Sequence, residues 1–203
     1  SSQSTVHRHN CMTVNNVDMS RFKLGRMLGE GAELQVFSAN DTSTGRPVVI
    51  KRPHPSLIER SQHNFVDHKI EESLALRNDL GNDLPYVSKG IGCGIIEPRS
   101  DYFGDSLDPC YSVMIEERAV GIPLVGSPID GIRGAPIGLP QNLFALHPMK
   151  VHSKRGGFSI VRDLLTIAEV LYDRGQLLAD ISPMNVFFAP LTGSITLVDL
   201  GSV

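Results

Sequence analysis

The chain has 203 residues, of which 41% are hydrophobic and 20% are charged, and its formal net charge is −3. This balance excludes a disordered or fibrous chain and argues against a protein that coats nucleic acid. The three cysteines, Cys11, Cys93 and Cys110, form no CxxC pair, which favours free thiols in a reducing compartment such as the cytoplasm. No apolar run is long enough to cross a bilayer, so no membrane span is expected.

The first 120 residues are predicted to form strands around one long helix. Residues 1–20 show neither helical nor strand periodicity and are expected to be a flexible lead-in. Strands are predicted, in order, at 22–39 around a glycine turn, at 46–52, at 87–96 and at 111–116. Between them, apolar residues at helical intervals predict one helix from about residue 56 to residue 80, with Gly81 as its C-terminal stop.

The remaining residues are predicted to form a smaller second unit. Residues 121–157 are rich in glycine and proline and are expected to be an irregular connection. A helix is predicted at 160–172, followed by a hairpin with strands within 177–188 and 195–198. We therefore divide the chain into a flexible segment (1–20), a first unit (21–120) and a second unit (121–203).

Two motifs in the first unit are candidates for contacts with a nucleotide. The turn at 28–36 carries Gly29 and Gly31 between two strands, where backbone amides can cover phosphates if no side chain blocks them. Lys51 ends the apolar run 48–50, so its stem is expected in a core and its ammonium at the mouth of a cleft. Taken singly, an ordinary hairpin turn and an ordinary strand-end lysine fit these patterns too.

Four acidic or amide side chains complete the candidate chemistry. Of the neighbouring carboxylates Glu71 and Glu72, Glu71 is the preferred ion-pair partner of Lys51, because it lies one turn from Leu74 on the inner stripe of the predicted helix. The alternative is that both are surface carboxylates. Asp180 and Asn185 lie five residues apart in a loop, where the first can accept a proton from a hydroxyl and the second can bind magnesium. Asp199 follows a predicted strand and is a second candidate magnesium ligand.

Together these segments resemble the eukaryotic-type protein kinase family. The matching segments are the glycine turn (28–36), the strand-three lysine (49–51), the hinge (113–124), the catalytic loop (178–185) and the magnesium-binding triplet Asp-Leu-Gly (199–201). Glu71 matches the helix residue that pairs with the lysine in that family. The similarity extends over about residues 22–203, and several spacings agree at once.

The resemblance implies a protein-kinase-like bilobal α+β fold. It predicts an antiparallel N-lobe sheet with one helix, a reduced helical C-lobe and ATP with Mg²⁺ in the cleft between them. The implied activity is that of a protein Ser/Thr kinase, which transfers the ATP γ-phosphate to a hydroxyl acceptor. Under this hypothesis the catalytic residues are Asp180, Lys51 and Glu71, the nucleotide contacts are Gly29, Gly31, Val36, Lys51 and Glu116, and the magnesium ligands are Asn185 and Asp199.

Four features depart from the family pattern. Leu34 stands at the third loop glycine, Leu-Ala at 178–179 replaces the His-Arg before the catalytic aspartate, and Ser182 replaces a lysine that supports the transferring phosphate. The sequence also ends at Val203, two residues after Gly201, before any activation segment. Two interpretations are open: a truncated chain, or a minimal kinase like the effectors that some bacteria secrete into host cells.

These departures keep two alternative functions open. One is a pseudokinase, a nucleotide-binding scaffold or inhibitor without activity. The other is a small-molecule phosphotransferase of the aminoglycoside or choline type, which shares the spacing from Asp180 to Asn185. For the kinase a protein substrate is expected, no nucleic-acid partner is expected, and residues 97–110 and 121–157 are candidate partner-binding segments.

Overall fold

The computed structural model describes residues 15–124, 157–178, 181–189 and 191–200. Within them the chain is an α+β protein with a five-stranded antiparallel sheet, a second sheet of three short strands and few helices. The strands are β1 (Phe22–Glu30), β2 (Leu34–Asp41), β3 (Pro47–Pro53), β4 (Gly90–Ile96), β5 (Tyr111–Glu117), β6 (Ile122–Pro123), β7 (Val186–Ala189) and β8 (Ser194–Leu197). The α-helices are α1 (Pro55–Glu59), α2 (Asn64–Leu80) and α3 (Gly157–Tyr172). Most of the predicted lead-in and of the connection at 121–157 lies outside the described residues.

The five-stranded sheet has the order β1-β2-β3-β5-β4, and every neighbouring pair is antiparallel. The β-branched residues at 48–50 are buried in its central strand, where such side chains pack well. One row of directly opposed residues crosses the sheet and consists of Gly29, Val36, Lys51, Met114 and Cys93. Residues in such a row share one face, so the predicted glycine turn and Lys51 lie on the same face.

Helix α2 covers that face of the sheet. Val66, Ile70 and Leu74 on the inner side of the helix form one buried cluster with Met114 and Cys93. Their spacing of four residues keeps them on a single stripe of the helix, as the sequence predicts. The part of this face around the glycine turn lies beside the helix and is not covered by it.

The predicted single helix over 56–80 is wrong, because α1 and α2 are separated by residues 60–63. Ser61 in this interval has a φ of +53°, in the left-handed region that an α-helix does not accommodate. The apolar spacing continues across the break, so periodicity alone does not reveal it. The predicted end of the helix is confirmed, since Gly81 is the C-terminal cap of α2 with a φ of +48°.

Residues 97–110 cover the opposite face of the sheet. Tyr102 and Phe103 pack against a buried cluster that includes Ile50. The Tyr102 hydroxyl donates a hydrogen bond to the carbonyl oxygen of Phe22 at 2.6 Å. This segment, which the sequence suggests for partner contacts, therefore completes the core of its own sheet.

Tyr102 makes the stability of the fold sensitive to alkaline pH. Burial raises the pKa of its hydroxyl to about 12. The folded chain thus holds this proton more tightly than the unfolded chain, whose tyrosine titrates near pH 10. We expect the free energy of unfolding to have its full Tyr102 contribution below about pH 10 and to lose it between about pH 10 and about pH 12. Thermal unfolding across this range should show a flatter pH dependence in Tyr102→Phe, and identical slopes would contradict the assignment.

The second sheet packs against α3 and the C-terminal end of α2. Its strands have the order β6-β7-β8 and are antiparallel. Ile167 and Leu171 of α3 share one buried cluster with Phe188, Leu197 and Leu80. The predicted helix and hairpin of the second unit are therefore confirmed. None of the helices in the described ranges is both long enough and apolar enough to cross a membrane.

Gly121, just before β6, is a position where the backbone requires glycine. Its φ is +115°, and an added Cβ would lie 2.5 Å from the carbonyl carbon of Phe188 and 2.8 Å from the nitrogen of Ala189. Because these are strand backbone atoms, we expect Gly121→Ala to lower the free energy of unfolding by about 2–4 kcal/mol. Gly29→Ala is the matched control, since its Cβ would meet no atom within 4 Å. Equal melting temperatures for the two variants would contradict this prediction.

Candidate functional site

Lys51 is buried where the two sheets meet. Its Nζ lies 2.9 Å from Glu116 Oε1 and donates a hydrogen bond to the carbonyl oxygen of Val198 at 2.5 Å. Val198 directly follows β8, and the next residue is the predicted magnesium ligand Asp199. The contact therefore brings the predicted phosphate-binding lysine next to the predicted metal site.

The carboxylate of Glu116 is held on both sides. Glu116 is 1% exposed, and a carboxylate at such a depth has to be paired and hydrogen-bonded. Its Oε2 lies 2.7 Å from Arg77 Nη1 and accepts a hydrogen bond from Ser88 Oγ at 3.1 Å. Arg77 Nη2 also donates to the carbonyl oxygen of Val198 at 3.3 Å. The sequence predicts Glu116 as a nucleotide contact, whereas the structure uses its carboxylate to hold Lys51.

The partner of Lys51 follows from strand register. Glu116 lies directly opposite Val49, two residues before Lys51 on the same face of the sheet. This diagonal placement on neighbouring strands is within reach of two long side chains. Glu71, the predicted partner, is half-buried on α2, whereas the ion pair that the structure shows for Lys51 is with Glu116. The residue of α2 that reaches this ion pair is the buried Arg77, which contacts Glu116.

The glycine turn has open space at both of its predicted positions. A Cβ at Gly29 would meet no atom within 4 Å, and a Cβ at Gly31 would come no closer than 3.8 Å, to the Leu34 carbonyl oxygen. Neither glycine has a positive φ. Packing and backbone conformation therefore do not require glycine at these two positions, and the open space is available to a ligand. Val36 lies beside the turn, half-buried and directly opposite Lys51.

The two predicted magnesium ligands lie at the same end of the hairpin formed by β7 and β8, called the second hairpin below. Asn185 ends a short 3-10 turn before β7, and its carbonyl oxygen accepts a hydrogen bond from the Val198 N–H at 2.9 Å. Asp199 follows Val198 and is exposed. A carboxylate and an amide are the oxygen donors that suit Mg²⁺, so this pair fits the ion. Asp180 lies outside the described residues, and within these no three His, Cys, Asp or Glu side chains group around one point.

A cavity of about 310 Å³ lies between α2, the glycine turn and Asp199. Its charged lining residues are the cations Lys51, Lys69 and Arg77 and the carboxylates Glu33 and Asp199. Lys69 Nζ lies 2.8 Å from Glu33 Oε2, so this ion pair bridges the helix and the glycine turn. The volume is at the lower end of ligand sites, and the clustered cations suit a phosphate chain.

Two polar side chains, Gln35 and His54, contact Glu30 at the base of the glycine turn. Gln35 Nε2 donates a hydrogen bond to Glu30 Oε1 at 2.6 Å, and His54 Nε2 lies 2.9 Å from the same oxygen. The hydrogen bond from Gln35, together with that from His54, holds the pKa of the Glu30 carboxyl below its usual range. Glu30 therefore remains an anion and an acceptor at neutral pH.

Arg77, Lys69 and Ser88 belong to the site but carry no prediction from the sequence. A signal for Arg77 exists, because it is the polar member of the buried stripe at 66, 70, 74 and 77 on α2. Lys69 and Ser88 have no comparable signal. Their contacts, with Glu33 and Glu116, depend on how the elements pack.

No protein-family model matches the chain, and no curated protein matches it at a significant level. The function is therefore inferred from the residues of the site.

Proposed function

We propose that the chain is a Mg²⁺-dependent ATP phosphotransferase with a protein-kinase-like bilobal fold, acting on a protein Ser or Thr hydroxyl. The observation that carries this proposal is the hydrogen bond from Lys51 to Val198, directly before Asp199. This contact brings a strand lysine beside a strand-end carboxylate, at a cavity bordered by the glycine turn.

The cavity is suited to the nucleotide phosphates. A lysine ammonium has three N–H donors, and within the described residues Lys51 uses two, to Glu116 and to Val198. One donor remains for a phosphate oxygen. Lys69 is a second cation on the cavity wall, and the open space at Gly29 allows backbone to approach the phosphates.

The proposed reaction transfers the γ-phosphoryl group to the acceptor hydroxyl. A bond forms between the acceptor oxygen and the γ-phosphorus, the bond from that phosphorus to the bridging oxygen breaks, and ADP leaves. Asp180, from the sequence prediction, accepts the hydroxyl proton. Asn185 and Asp199 would hold Mg²⁺, which neutralises charge on the phosphate oxygens when bound. The contribution of the chain is mainly positioning and charge neutralisation.

A second candidate function is nucleotide binding without transfer. It is favoured by the engagement of Lys51 with Glu116 and Val198, which leaves only part of its hydrogen-bonding capacity for a phosphate. The two candidates share the nucleotide and differ in the chemistry.

Thermal unfolding and label transfer on the full chain test both candidates. We expect Mg-ATP at about 100 times its Kd to raise the melting temperature by about 5–10 °C, and Lys51→Met to abolish most of this shift. Incubation with γ-labelled ATP should then label protein acceptors. A shift without any label supports the binding function, and label only on amino sugars or small alcohols supports a small-molecule phosphotransferase. Absence of the Mg-ATP shift would overturn the proposal.

A further inference from the structure

We propose that Glu116, clamped by Arg77 and Ser88, is the positioning residue for Lys51 in nucleotide binding, in the role that the sequence suggests for Glu71. This inference rests on the proposed function, and Glu116, Arg77 and Ser88 are the residues that would position Lys51 to bind a nucleotide. The two oxygens of the Glu116 carboxylate have different partners, since Oε1 faces Lys51 and Oε2 faces Arg77 and Ser88.

The clamp fixes the direction of the carboxylate. Glu116 and Arg77 are almost fully buried, so solvent does not screen their ion pair. Ser88 adds two contacts, since Arg77 Nη1 also donates to its carbonyl oxygen and its Oγ, each at 3.0 Å. With Oε2 occupied in this way, Oε1 has one orientation toward the lysine.

The same clamp sets where Lys51 lies relative to the metal site. Lys51 and Arg77 both donate to the carbonyl oxygen of Val198, directly before Asp199. Arg77 belongs to α2, Glu116 to β5 and Val198 to the end of the second hairpin. A shift of α2 therefore disturbs Glu116 and Val198 together, so the position of the helix is transmitted to Lys51 through Arg77.

A double-mutant cycle on Mg-ATP affinity tests this role without requiring activity. We expect Glu116→Gln to weaken binding by about 10- to 100-fold, because a charge-assisted contact to Lys51 is lost. In a Lys51→Met background the same substitution should weaken binding less than about twofold, since Glu116 acts through Lys51. Glu72→Gln is the matched control, because Glu72 is an exposed carboxylate of the same helix that pairs with His68, and it should change affinity less than about twofold in the wild-type background. The same cycle with Glu71→Gln tests the rival carboxylate.

Ser88→Ala is the second variant, because Glu116→Gln also deprives a buried arginine of its charge partner. Ser88→Ala leaves every charge in place and removes two hydrogen bonds of the Ser88 hydroxyl, the one it donates to Glu116 and the one it accepts from Arg77. We expect a two- to tenfold loss of affinity, which disappears with Lys51→Met. Additive effects of both variants with Lys51→Met, or coupling of Glu71 in place of Glu116, would overturn the inference alone. Wild-type protein that does not bind Mg-ATP would overturn the proposed function and the inference with it.

Discussion

Under the proposed function, replacing Asp199 by asparagine should reduce the rate of phosphoryl transfer by at least about 100-fold, because the proposed Mg²⁺ site would lose its carboxylate ligand. Asp199 is exposed on the cavity, and Asn185 is held beside it by the hydrogen bond to Val198. An amide in place of the carboxylate keeps the shape and removes the negative charge that attracts Mg²⁺. We also expect the half-saturating Mg²⁺ concentration to rise in this variant.

The measurement is the initial rate of label transfer from ATP across a Mg²⁺ titration. Asp173→Asn is the matched control, since Asp173 is also exposed but lies after α3 and outside the cavity. The melting temperature of Asp199→Asn should stay within about 2 °C of the wild type, as for an exposed position. An unchanged rate with an unchanged Mg²⁺ requirement would remove Asp199 from the metal site.

Arg52→Met should lower the free energy of unfolding by about 2–4 kcal/mol, and the melting temperature by about 5–12 °C. Arg52 is 3% exposed and binds Asp105 through both carboxylate oxygens, at 2.9 Å and 2.7 Å. Its guanidinium also lies over the Phe103 ring, 4.4 Å from the centroid, and donates to Gln35. Its removal leaves a buried amide and a partly buried carboxylate without their donor, and removes the ion pair that joins the 97–110 segment to β3.

The control for this prediction lies in the same segment. Arg99 pairs with Asp108 at 2.8 Å, but both side chains are 78% exposed. Surface ion pairs contribute little, so Arg99→Met should change the free energy of unfolding by less than about 1 kcal/mol. Chemical denaturation of the two variants gives the comparison. Equal losses of stability would show that burial of Arg52 does not strengthen its contacts.

The local elements follow from the sequence because their signals are local. The β-branched run before Lys51 predicts a strand over 46–52, and the structure has β3 at Pro47–Pro53. Gly81 predicts the end of a helix and is its C-terminal cap. The break at Ser61 escapes prediction because its left-handed φ belongs to a residue type with no strong preference for that conformation.

The candidate site divides in the same way. The sequence predicts Gly29, Gly31, Lys51 and Asp199 as site residues, since each is expected at a turn or at the end of a strand where its chemistry is recognisable. It does not identify Arg77 or Ser88. Their roles arise from contacts with Glu116, on elements that are far apart in the chain and meet only after folding.

The sequence by itself indicated the strands other than β6, the end of α2 and the candidate residues for phosphate and magnesium, because these depend on periodicity, turn chemistry and residue type. Only the tertiary structure decided which carboxylate holds Lys51. That choice depends on the pairing of β3 with β5, which puts Glu116 diagonally across from Lys51. It also depends on the rotation of α2, which buries its own residue Arg77. Neither strand register nor helix rotation is encoded by a residue and its neighbours, because both are set by how whole elements exclude water from a shared core.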